Sequence, residues 1–287
     1  MRARALAGRV AALFQTLCFF VATGIASFGW AVCHLLGWNS TPYLPLWFCS
    51  GLLIYNADRL RRDPADALNI PERAAASARA RKLSLAVLAI AAVALVGLPI
   101  VRGDWLTLGL IAAGTPVCLG YSAPIFGFRF KDVPLLKTLF APTIVSVAVV
   151  GLPWFHEGAP PVGAGFALTV FRSWCFLLFD MILCDLRDLE GDRRMKIRSL
   201  PVCLGERRTR ALLWALLGVI EFSSLTGAAQ APAHLAAAWR LACVAGPLYL
   251  GGLLIAVRTP RSEGFYEWAV EGMLFLPALV CAVGMLF

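Results

Sequence analysis

Charge is scarce in this chain. Asp, Glu, Lys and Arg make up 15% of its 287 residues, and the acidic side chains number only 17. A soluble domain gives about a quarter of its residues to charge, so that class is excluded. With 60% hydrophobic residues and a mean hydropathy of +0.75, the chain reads as an integral membrane protein. Histidine is scarcer still: His34, His156 and His234 stand far apart and read as structural rather than catalytic. The nine cysteines are scattered singly, with no Cys-x-x-Cys pair and no Cys/His ligand spacing. Neither a disulfide framework nor a zinc site is supported. No polar stretch is longer than about 30 residues, too short for a separate soluble domain. No fixed-period repeat or low-complexity tract appears. Residues 1–287 therefore read as a single domain.

What is present is a series of apolar runs. A helical span needs about 20 such residues, and the chain reads as nine spans, the second of them short and running into Asn56: Val10–Gly37, Tyr43–Ala57, Leu83–Val101, Trp105–Phe126, Pro134–Phe155, Pro160–Cys184, Ala211–Ala229, Leu235–Val257 and Ala269–Phe287. The expected fold is all-α and polytopic, about nine transmembrane helices around a central cavity. Arg2, Arg4 and Arg9 precede the first run. That run is too long for a signal peptide and lacks a clear cleavage site, so it reads as a retained first span.

The 26 basic residues test the count. Three lie at the N-terminus, seven between spans 2 and 3, three between 4 and 5, eight between 6 and 7, and two between 8 and 9; only Arg102, Arg172 and Arg240 fall elsewhere. This alternation puts the N-terminus and the loops after even spans in the cytoplasm, and the C-terminus outside. The net charge of +9 follows from topology, and no nucleic-acid partner is expected. The expected location is a bacterial inner membrane, the protein being multi-pass and bathed in membrane lipid.

Span 6 delivers the most distinctive stretch, Asp185-Leu-Arg-Asp188-Leu-Glu-Gly-Asp192. At about 100° per residue, the three aspartates fall within about 60° of one another on a helix. Carboxylates so placed repel unless a cation sits between them, and hard oxygen donors suit Mg²⁺. The plainer reading is a solvated acidic helix end paired with Arg187, Arg193 and Arg194. Ionisable groups at a membrane edge favour the functional one. A weaker echo lies between spans 2 and 3, where Asn56, Arg59, Asp63 and Asp66 share a helical face that Pro64 distorts. Both Asp-rich stretches fall on the same, cytoplasmic side. Two such clusters facing one cavity can hold metal ions that bridge a diphosphate and make it a better leaving group.

Between them runs Tyr121-Ser-Ala-Pro124-Ile-Phe-Gly-Phe-Arg129-Phe-Lys131, followed by Lys137. These cations suit an anion, or simply the cytoplasmic side. Arg172, in mid-span, needs a partner or a wet cavity, and Glu221 is the candidate partner. Asp180, one turn before the cluster, reads as a metal-supporting group or a proton acceptor.

The acidic run, followed by Ile197-Arg-Ser-Leu200-Pro201-Val202-Cys-Leu204-Gly205, resembles the second aspartate-rich motif of the UbiA-type membrane prenyltransferase superfamily. The Tyr121–Lys131 stretch resembles that family's Tyr-Ser-x-Pro…Arg-x-Lys loop, and nine spans of this sidedness fit it. The family's first motif is usually Asn-Asp-x-x-Asp-x-x-x-Asp. Here Asn56 matches, Ala57 and Leu60 stand where Asp is usual, and Asp58, Asp63 and Asp66 are off-register; Lys196 replaces a usual glycine. Either Asp63 and Asp66 supply the missing ligands or the first metal site is weak.

The resemblance implies an Mg²⁺-dependent enzyme acting on an isoprenyl diphosphate and a lipophilic, commonly aromatic, acceptor. Asp185, Asp188 and Asp192 would hold metal, with Asp63 and Asp66 opposite. Asn56, Arg129, Lys131 and Lys137 would meet the diphosphate, and Tyr121 and Arg172 would line the substrate site. Tyr121, Phe126 and Trp174 could shield a carbocation or simply pack the core. The same scaffold would serve a terpene cyclase, and a transporter or lipid-binding protein is the non-catalytic alternative.

Overall fold

The structure is a computed structural model that describes residues 2–61, 64–125 and 127–287. Asp63, an expected metal ligand, and Phe126 lie outside the described residues, which are all-helical. In chain order the helices are α1 (Arg2–Thr16), α2 (Phe19–Leu36), α3 (Leu44–Leu60), α4 (Pro64–Asn69), α5 (Pro71–Arg79), α6 (Arg81–Arg102), α7 (Trp105–Ser122), α8 (Leu136–Ser146) and α9 (Leu152–His156). Then follow α10 (Ala164–Arg187), α11 (Leu189–Arg194), α12 (Leu200–Leu204), α13 (Glu206–Gln230), α14 (Ala233–Ala256), α15 (Glu263–Phe265) and α16 (Leu276–Gly284).

Among the described residues, eight helical segments are long and apolar enough to cross a membrane. They are α2, α6, α7, α8 with α9, α10, α13, α14 and the run from α15 through α16. Helix α3, of 17 residues, ends in the polar Asn56–Leu60 turn and packs between α2 and α6 as the ninth member of the ring. The ring closes in chain order, α2 on α3, α6, α7, α8, α10, α13, α14 and α16, which returns to α2. Helices α2 and α10 also meet across it, where Phe28 and Phe176 stack with centroids 5.8 Å apart. At that level the middle is packed rather than hollow. Burial follows position: 56% of the α10 span is buried but only 11% of α7, whose apolar side chains face outward as a lipid-facing helix requires. Close approach of α2 and α3 depends on Gly29, where a Cβ would sit 2.5 Å from the Trp47 ring.

Two spans differ from the sequence reading. The first is not one run. Cys18, in the left-handed region (φ 63°), breaks it into α1 and α2. Asn56 donates to the Leu17 carbonyl (3.0 Å), and Arg59 donates to those of Gln15 (2.7 Å) and Thr16 (3.1 Å), so α3 satisfies the carbonyls freed at the break. The fifth span holds a wide π turn, Val147–Gly151. Pro153 has no N–H to return to that turn, and the Trp47 indole donates to the Ala148 carbonyl instead (3.1 Å).

The loops read as lying on one side do meet. Helix α4 packs on α11. The N–H groups of Glu72 and Arg73 donate to the Glu263 carboxylate (2.9 and 2.8 Å), and Leu135 N–H donates to the Arg198 carbonyl (2.8 Å). The loops after spans 2, 4, 6 and 8 thus form one polar cap over the ring.

Candidate active site

Helix α10 runs unbroken through Asp185 and ends at Arg187; Asp188 links it to α11, which carries Asp192. The three aspartates therefore come from two helices rather than one continuous face, yet they converge. Their meeting point is the Lys137 ammonium, from the first turn of α8. Its Nζ lies 2.8 and 2.7 Å from the two Asp192 oxygens, 3.3 Å from Asp185 Oδ1 and 3.7 Å from Asp188 Oδ2. Lys137 pairs with the carboxylates, whereas the sequence reading gave it to the diphosphate. Asp185 and Asp192 are fully buried.

The shell around the cluster orients it. The Thr138 hydroxyl donates to Asp185 Oδ2 and accepts from the N–H of Leu200 (2.9 Å), tying α8, α10 and α12 together. Arg187 grips Asp188 through Nε (2.7 Å) and Nη2 (3.2 Å), and its guanidinium lies over the Tyr266 ring at 5.4 Å. Burial pushes the Asp188 carboxyl up, but Arg187 and Lys137 outweigh it and hold the group below the usual carboxylate range. At Asp192 burial wins over Lys137, and the carboxyl sits above that range.

The first polar stretch reaches the second through Asn69, whose Oδ1 accepts from the Gly191 N–H (2.8 Å). Gly191 must be glycine for this approach, since a Cβ would run into the Asn69 amide. Asp58 accepts from the Ser122 hydroxyl (2.5 Å), which joins the stretch to the end of α7. Asn56 is buried against Leu17 and Leu52, with its Oδ1 left without a hydrogen bond. Asp66 is half-buried on α4. Tyr121 stacks on Phe140 at 4.8 Å and feels the charges of Lys137, Asp58, Asp185 and Asp192. Lys131 is buried in the α7–α8 loop. Arg129 forms a two-pronged pair with Asp132 (2.7 Å each) at the surface. Trp174 donates to Thr143 (3.1 Å).

Arg172 is not brought to this cluster. Thirteen residues before Asp185 on one helix, it lies about 20 Å away along the axis. The expected pairing with Glu221 is also corrected. Arg172 donates to Ser224 (2.9 Å) and stacks over Trp239 (5.3 Å), and Glu221 acts on it only through its field. The Ser224 hydroxyl and the Trp239 face take the guanidinium, and no ion pair joins it to Glu221. It lines a cavity of about 20 Å³ with Phe176, Ile220 and Cys281. A second hollow, of about 490 Å³, opens sideways between α2 and α3 beside Trp30 and Phe48.

Several site residues carry no signal in the sequence. Thr138 and Asn69 are single polar residues without a motif, and the Arg73–Glu271 pair (3.6 Å) spans most of the chain. Buried Asp180 Oδ1, Arg187 Nη1, Arg73 Nε and Glu271 Oε2 also lack hydrogen bonds. Lys196, where glycine is usual in the resembled motif, has φ 58° and follows α11. The left-handed region costs a side chain roughly 1 kcal/mol. Lys196→Gly is accordingly expected to raise the melting temperature by a few degrees, measured by thermal denaturation in detergent.

Among the described residues no three His, Cys, Asp or Glu side chains already form a metal cage. The donor set nevertheless fits a hard cation. Three carboxylates share one point, Asp185 Oδ1 is buried without a hydrogen bond, and a cation, the Lys137 ammonium, stands there.

Comparison with known proteins agrees with the motif. The model of the UbiA prenyltransferase family matches residues 62–276. The bacteriochlorophyll synthase 33 kDa chain of Cereibacter sphaeroides is 31% identical over 119 residues, a match covering 37% of this chain and 39% of that one. The solved structure of a digeranylgeranylglyceryl phosphate synthase in membranes superimposes with a TM-score of 0.51 at 14% identity, covering 97% of both chains; at that identity it shows the fold alone.

Proposed function

The chain belongs to the UbiA prenyltransferase family, and from that premise we propose that it transfers an isoprenyl group from an isoprenyl diphosphate to a lipophilic, aromatic acceptor within the membrane, with Mg²⁺. The observation that carries the reading is the convergence of Asp185, Asp188 and Asp192 on one half-buried cation position at the polar cap.

In this reading Asp185, Asp188 and Asp192 would hold Mg²⁺, with Asp66 of the first stretch, and Asp63 outside the described residues, as further candidate ligands. The metal supplies charge neutralisation of the diphosphate, which makes it a better leaving group. Thr138 and Arg187 fix the directions of Asp185 and Asp188. Lys131 and Arg129 add positive charge for the diphosphate, and the unpartnered Oδ1 of buried Asn56 is a further candidate contact. Tyr121 stands beside the cluster, where its ring can face a developing allylic cation. The prenyl chain lies among the helices, in contact with lipid. In this reading the polar cap is the cytoplasmic side, because it collects the basic residues of four loops, and the membrane is a bacterial inner membrane.

The test is diphosphate release by purified protein in liposomes with a panel of prenyl diphosphates. Release that needs Mg²⁺, with a prenylated acceptor found by mass analysis, is the expected outcome. Release with only a hydrocarbon or alcohol product would instead indicate a cyclase. No release with any donor, in folded protein, would overturn the enzymatic reading.

A further inference from the structure

Three carboxylates at one point, Asp185 and Asp192 buried and Asp188 half-buried, cannot all stay ionised without a counter-charge. This chain supplies its own. The Lys137 ammonium lies within 3.7 Å of all three and within 2.8 Å of both Asp192 oxygens. A divalent ion binding the same oxygens would sit about 2.1 Å from them. Ion and ammonium cannot share that space, since like charges so close repel by several kcal/mol even at an effective dielectric of 20. Metal binding is therefore an exchange, in which the ammonium must leave.

Lysine suits such an exchange. Its charge is compact and rides on a flexible four-carbon stem, and an ammonium is a good point-charge partner for phosphate. The backbone around it is pinned. Leu135 is tied to Arg198 and Thr138 to Asp185 and Leu200. Displacement then falls to the side chain and not to the helix.

Building on the prenyl-transfer reading, we propose that Lys137 is a tethered counter-cation. It fills the metal position in the unliganded protein, and a bound diphosphate draws it out, so that metal and diphosphate bind tightly only together. Lys137 acts here as a positioning residue, set against metal binding on its own and in favour of the pair. Reciprocity follows: diphosphate tightens metal binding by the same factor as metal tightens diphosphate binding.

The experiment measures binding rather than turnover. Mn²⁺ is titrated into purified wild type, Lys137→Met and Lys137→Arg in detergent, with free Mn²⁺ read by electron paramagnetic resonance. Each titration is run with and without inorganic diphosphate, and binding to protein is taken as the loss of free Mn²⁺ beyond that in a protein-free titration with the same diphosphate. Wild type is expected to bind Mn²⁺ weakly alone and at least about tenfold more tightly with diphosphate, a coupling of about 1.4 kcal/mol. Lys137→Met should bind Mn²⁺ alone at least about tenfold more tightly than wild type and lose most of the diphosphate effect. Lys137→Arg, which keeps the charge, should bind Mn²⁺ alone as weakly as wild type. Equal or weaker Mn²⁺ binding by Lys137→Met would overturn the proposal and make Lys137 a fixed structural partner. If Lys137→Met is unfolded without metal, recovery of its melting transition by Mn²⁺ supports the exchange; failure to recover overturns it. Wild-type Mn²⁺ affinity that ignores diphosphate also overturns it. Absence of turnover with every prenyl diphosphate would count against the prenyl-transfer reading alone, because none of these binding outcomes depends on it.

Discussion

Replacing Asp188 by asparagine is expected to lower Mg²⁺-dependent diphosphate release by about 10²–10³-fold, while the protein still expresses and folds. Removing one group that stabilises developing charge typically costs that much. The substitution keeps the shape of the side chain and its backbone link, in which Asp188 N–H donates to the Cys184 carbonyl (3.1 Å). It removes the negative charge that faces Arg187 at 2.7 Å and Lys137 at 3.7 Å. Because the folded carboxyl is held below the usual range, its contribution to stability is complete at neutral pH and is lost only as the pH falls through that depressed value. Glu190 provides the control. It belongs to the same acidic run, but pairs with Arg194 at the exposed surface (3.0 Å). Such pairs contribute little, so Glu190→Gln should change release less than twofold. Equal losses from the two substitutions would return the run to the plainer reading of a solvated, acidic helix end.

The contrast between those two acids shows what the sequence could carry. Helical spacing put Asp185, Asp188 and Asp192 together, and the convergence survives the break between α10 and α11. Charge alternation placed four loops on one side, and their contacts through Glu263, Asn69 and Leu135 bear that out. Spacing failed where distance along the chain says nothing about distance in space. Lys137 is 48 to 55 positions from its three partners, so it read as a cation for diphosphate. Arg172 and Glu221 read as a pair because each is costly in lipid, but a serine hydroxyl and an indole face satisfied Arg172 instead. The left-handed Cys18 that breaks the first span had no signal, since neither glycine nor proline marks it.

Thr138→Val should be among the most damaging substitutions that change neither charge nor size. Thr138 reads as an ordinary residue of an apolar span, but its buried hydroxyl makes two bonds at once, to Asp185 and from the Leu200 N–H. Valine fills the same space, so no cavity term arises. What is lost is satisfaction: one carboxylate oxygen and one backbone N–H are left buried without partners. Each orphaned group costs about 1–3 kcal/mol, and more when charged, which predicts a melting temperature lower by roughly 5–10 °C. Asp185 also loses the bond that fixes its direction at the cluster, and a misdirected carboxylate binds metal poorly: the loss of such a supporting partner typically costs 10–100-fold in affinity or activity. Thr138→Ser keeps the hydroxyl and should restore most of both quantities. If Thr138→Val matched wild type in melting and in Mg²⁺-dependent release, Asp185 would have to be held by Lys137 alone. The link from α8 to α12 would then have no part in organising the site.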